Sequence, residues 1–165
     1  MIKQKFINLS ELNYEIKDLY NALNNKESDL ACILIGANFL DVSLATILKI
    51  FLKNSSVTDN ILDHNKGFLG NFKNRMDICY CLNLIEKNVY QDLMRIAEIR
   101  NIVAHNHILD GFENQEISEK CNDLHFWKLL IKREKEKLFN RHKFNFTVVI
   151  ISQKLLCKAF ELKEK

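Results

Sequence analysis

Residues Glu98 to His107 read EIRNIVAHNH and place a guanidinium, an amide and an imidazole on an otherwise apolar stretch. Arg100 can grip two phosphate oxygens and offset charge developing there. An imidazole titrates near pH ~6.5, so His105 has the chemistry to take a proton from a hydroxyl at neutral pH. Asn101 adds an amide beside the arginine. Together these groups suffice for attack of an RNA 2′-hydroxyl on its own phosphate, with no metal or cofactor. DNA lacks that hydroxyl, which makes RNA the expected substrate.

Helical geometry limits this reading. Positions 101 and 105 share a face, whereas 100 and 105 point about 140° apart on an ideal helix. Convergence requires the helix to end near Ala104 and swing His105 round, or two helices to face each other in a homodimer. The alternative is a polar helix end, with Arg100 paired to Glu98 or Asp41 and His105 capping the last carbonyls.

The elements that must position these groups are helical. The 165 residues include no proline and four glycines, which argues against an all-β sandwich. With 47% hydrophobic and 27% charged residues, the chain is expected to be one globular helical domain over 1–165, with its core at about 9–160. A first helix follows Ser10 to about Leu23. A second, capped at Ser28 or Asp29, runs to about Lys53, and NSSVTDN follows as a polar connection. Asn71 caps a third over Phe72 to Leu82, closed by Asn83. A fourth runs from near Glu86 to His105. The polar, basic segment over 112–143 adds one or two short helices. FTVVII near the end has β character but no partner strand, so a last core helix is expected. The fold class is an all-α bundle of five to seven helices.

The segment Leu30 to Leu52 is long enough to span a bilayer. Asn38, Asp41 and Lys49 interrupt it, and a buried bundle helix accounts for it better than a membrane span. The five cysteines are odd in number and sit on apolar stretches, as reduced thiols of a cytoplasmic protein do. The first residues lack the apolar core of a signal peptide.

Net charge is only +3, so polyanion binding needs a local patch. Lys128, Lys132, Arg133, Arg141 and Lys143 supply one, with His125, Phe126 and Trp127 nearby as stacking groups. A solvated face is the competing reading. Cys121 and His125, joined by His107, make an incomplete zinc set, so no metal site is expected. Cys79 and Cys81 have core rather than redox spacing.

Arg100 to His105 resembles the R-x4-6-H signature of the HEPN superfamily. A broader resemblance, over about Glu27 to Leu156, is to the mannitol-operon repressor family. It rests on the acid-bearing helix GANFLDVSLATIL, the turn from Gly67 to Phe72, the helix RMDICYCLNLI, the Ile99 to His105 segment and the closing RHKFNFTVVI. Both resemblances imply an all-helical, dimeric protein. The HEPN resemblance implies a metal-independent endoribonuclease of toxin or antiviral type, restrained by an antitoxin or regulatory protein. Arg100 and His105 would carry catalysis, with Asn101, Asp41 and Glu98 in support and Asp41 orienting Arg100. The repressor resemblance implies a non-enzymatic regulator acting through protein partners. The enzyme is the first reading and the regulator the second.

Overall fold

A computed structural model describes residues 6–7, 9, 12–24, 28–105, 110–130 and 138–164. These residues form seven α-helices and no strand: α1 Leu12–Asn24, α2 Asp29–Phe51, α3 Ser56–Leu62, α4 Phe72–Cys81, α5 Lys87–His105, α6 Gln115–Asp123 and α7 Asn140–Lys163. Short 3-10 turns at Gly111–Glu113 and Phe126–Leu129 flank α6. The all-α bundle of five to seven helices is therefore as expected.

Polar caps set the boundaries in place of proline. The Ser28 hydroxyl accepts the Ala31 N–H at 3.2 Å, and the Asn71 side chain accepts the Asn74 N–H at 2.9 Å. Asn83 closes α4 in the left-handed region at φ 54. NSSVTDN, expected as a connection, forms most of α3 instead. Ser55 caps it, the Thr58 hydroxyl donates to the Lys53 carbonyl at 2.6 Å, and Leu62 is buried. A helix this short shows too little apolar periodicity to be recognised.

α2 runs through the centre and packs against α1, α4, α5 and most extensively α7. Ile33, Leu40, Leu44, Ile47 and Leu48 are fully buried, each worth about 1.5–3 kcal/mol relative to exposure. Gly36 faces α7, where a Cβ would come within 3.1 Å of the Phe144 ring, so the missing side chain sets how closely the two helices approach. On α7, Phe144, Val148, Ile151 and Leu155 recur at helical spacing against α2. That burial overrides the β preference of FTVVII. α2 has the length and hydropathy of a membrane span, but its buried half is the core of the bundle.

One buried cation fastens α2, α3 and α4 together. Arg75 of α4 is fully enclosed. Its guanidinium donates to the Asp41 carboxylate of α2 at 2.7 Å, to the Leu62 carbonyl ending α3 at 3.2 Å, and to the Leu69 carbonyl at 2.7 Å. The turn carrying Leu69 lies flat on α3: a Cβ at Gly67 would sit 2.1 Å from the Ile61 oxygen, and one at Gly70 would sit 2.4 Å from the Asp63 oxygen. Burial raises the Asp41 carboxyl above its ordinary pKa, and the Arg75 charge opposes that rise.

Two consequences are measurable. Arg75→Met should lower unfolding free energy by about 3–5 kcal/mol in urea titration, because it strands a buried carboxylate. Adding Asp41→Leu should not restore stability, since the Leu62 and Leu69 carbonyls stay without their donor; full rescue would contradict the account. Burial raises the thiols of Cys32 to about 11 and of Cys79 and Cys121 to about 12. Only Cys81 and Cys157 are exposed, so a thiol reagent should label those two in the native protein and all five cysteines in denaturant.

Candidate functional site

α5 reaches the surface at its C-terminal end. Ile96, Ile99 and Val103 face the core, while Arg100, Asn101 and His105 are exposed. The helix continues unbroken through His105, so no early end swings that imidazole toward Arg100. The two groups keep the divergence of about 140° set by helical geometry. Arg100 borders the buried stripe and lines an open groove of about 310 Å³ with Leu34, Ala37, Asn38, Asp41 and Phe72. Its guanidinium donates to the Asn101 side-chain oxygen at 3.1 Å. Asn101 and His105 face outward on the far side of the helix.

The expected supports have other partners. Asp41 shares the groove with Arg100, but its carboxylate accepts from Arg75. Glu98 accepts from Lys120 at 2.7 Å and ties α5 to α6. Sequence reasoning passed over Arg75, although a signal was present. An arginine interrupts the apolar stripe Phe72, Met76 and Cys79, and Asp41 interrupts the most apolar helix. Two opposite charges, each alone on a buried face, need each other.

Only part of the basic segment falls within the described residues. Lys128 is exposed on the second 3-10 turn, while Lys132 and Arg133 lie outside the described residues. Arg141 is structural: it donates to Asp29 of α2 at 3.0 Å and to the Leu23 carbonyl ending α1 at 3.2 Å. The same Asp29 carboxylate accepts the Phe112 N–H at 3.1 Å. Gly111 adopts φ +56 beside it, where a Cβ would fall 2.4 Å from the Asp29 Cβ. Lys143 donates to Asn122 at 2.6 Å and lies 4.9 Å over the Trp127 ring. Phe126 is buried, so it offers no face for a base. The turn holding it is fixed by buried Asp92, whose carboxylate accepts the His125 N–H at 2.8 Å and the Phe126 N–H at 3.1 Å.

Cys121 is buried, and the His125 ring lies 3.3 Å from the Asn88 amide. His107 lies outside the described residues. Among the described residues, no three His, Cys, Asp or Glu side chains are placed to hold a metal.

Three comparisons bear on identity. A family model described as mannitol repressor matches residues 15–155. No curated protein matches the chain. A solved structure described as the X-ray structure of the MtlR–HPr complex from Escherichia coli superposes with a TM-score of 0.67. It shares 17% identity and covers 86% of this chain and 98% of that one, which shows a common fold. The endoribonuclease expectation is overturned. Neither comparison carries ribonuclease activity, and the toxin–antitoxin, antiviral and RNA-substrate expectations fall with it. Within one subunit α5 also offers no such site, because its helix runs unbroken through His105 and keeps Arg100 and His105 apart. With most of its length matched by the family model, the chain belongs to the mannitol repressor family.

Proposed function

We propose that this protein is a non-enzymatic helical regulator that acts in the cytoplasm, as a homodimer, by binding a protein partner, with HPr as that partner. The observation that carries the reading is the divergence of the polar groups on α5. Arg100 lies over the α2 groove, while Asn101 and His105 face solvent on the other side. Within one subunit such a layout does not bring a base and a cation to one reacting atom, and it suits contact with an approaching protein surface.

Two further observations support it. The solved relative of the same fold is in complex with HPr. All five cysteines are free thiols, in keeping with a reducing compartment. The outward face of α5, with Asn101 and His105, is assigned to the partner. Glu98 is held by Lys120, which anchors that face against α6.

Isothermal titration of the purified protein with HPr tests this. A one-to-one complex with a Kd of about micromolar order is expected, typical of a transient regulatory contact. Asn101→Ala combined with His105→Ala should weaken it about fivefold or more while leaving the thermal unfolding midpoint unchanged. Absence of any HPr binding by the folded wild-type protein would overturn the reading.

A further inference from the structure

We propose that the outer face of α2 is a self-complementary interface that seats the same face of a second copy of this chain. The inference rests on the dimeric part of the reading above and is independent of HPr. Over the first four turns of α2, steps of about 100° place Asp41, Leu34, Asn38, Val42, Ile35 and Phe39 on one continuous arc of about 160°. The middle of this arc reaches the surface at Leu34 and Asn38, while its flanks pack partly against neighbouring helices. Leu34 is 43% exposed and Asn38 is exposed, while Ile35, Phe39 and Val42 are half-buried. A central helix this apolar leaves an outer stripe that its own bundle covers only in part.

The stripe is the floor of a trough with charged walls of opposite sign. On the α5 side lies the groove of about 310 Å³ that ends at Arg100 and Phe72. On the α1 side lies a second groove of about 280 Å³, rimmed by Glu15 and Asp18. Asn38 lines both, so the two grooves meet along α2. Arg100 donates only to the neutral Asn101 among the described residues, and the nearby Asp41 is already bonded to Arg75. Glu15 and Asp18 have no ion-pair partner among the described residues.

This polarity selects both the occupant and the arrangement. In a closed pair the two-fold axis lies in the interface plane. An axis parallel to α2 lays the α1 wall of each copy over the α5 wall of the other. Arg100 then meets Glu15 and Asp18 twice, while Leu34, Phe39 and Val42 are covered in the middle. An axis across α2 would instead set acid on acid and base on base. Rim charges of this kind mainly fix register and select the partner.

Sedimentation velocity and light scattering at matched concentrations test the assignment. The wild type is expected to be a dimer. Arg100→Glu alone, and the pair Glu15→Lys with Asp18→Lys alone, should each weaken self-association by about tenfold or more through like-charge contact. Mixed one to one, the two variants should regain a dimer, because acid again faces base at both walls. Arg100 and Asp18 are exposed and Glu15 is half-buried, and matching unfolding curves would confirm intact folds. A dimer indifferent to both variants, or variants that stay monomeric when mixed, would overturn the trough assignment and leave the dimer standing. A monomeric wild type would overturn both. A monomeric wild type whose HPr binding is lost in Arg100→Glu would make the partner the occupant instead.

Discussion

The seating of α4, and of α5 packed upon it, depends on how one buried arginine is satisfied. Arg75 has no exposure, and its guanidinium bonds to a carboxylate on α2, the last carbonyl of α3 and a carbonyl in the glycine turn. A buried ion pair alone is weak evidence for stability, since an apolar pair of similar volume often serves as well. Here the cation also satisfies two backbone carbonyls that no apolar side chain can reach. That adds a geometric requirement: α4 can settle on α2 only where all three acceptors meet. The turn meets it because Gly67 and Gly70 let the backbone lie against α3. α5 then packs on α4 and α2, which fixes where its polar end emerges.

Other polar groups, some fully buried and some at the edge of the core, serve the same end. Asp29 takes Arg141 on one oxygen and the Phe112 N–H on the other, binding the start of α2 to the start of α7. Asp92 holds the backbone of the second 3-10 turn. Asn145 donates to the Leu23 carbonyl at 2.9 Å and accepts the Cys32 thiol at 3.0 Å. Several residues whose types suggested chemistry are thus joints between elements. Burial makes the joints at Asp92 and Asn145 costly to break, because an unpaired polar group inside the bundle loses its water without replacement.

Much of this was legible in the residues. Ser28, Asn71 and Asn83 marked helix boundaries that the structure places within a residue or two, and the family resemblance rested on a turn and an acidic helix that Arg75 joins. The long apolar segment was readable as the core helix. The short α3 was not, because only Thr58 and Leu62 are buried within it. The roles of Asp41 and Arg141 were not legible either. Each was seen as a charge near a candidate site, but its partner lies on another helix, and spacing along one helix cannot reveal it. The six residues from Arg100 to His105 suggested catalysis by type, while the helix that carries them keeps Arg100 and His105 apart.

The central claim is that the outward end of α5 works by binding a protein, and a nuclear magnetic resonance titration tests it most directly. Isotope-labelled protein is titrated with unlabelled HPr while backbone amide shifts are followed. The account predicts progressive shifts concentrated at Asn101 and His105 and their neighbours on α5, with the amides around Arg75 unmoved. An unchanged spectrum at saturating HPr, or shifts confined to surfaces remote from α5, would contradict it.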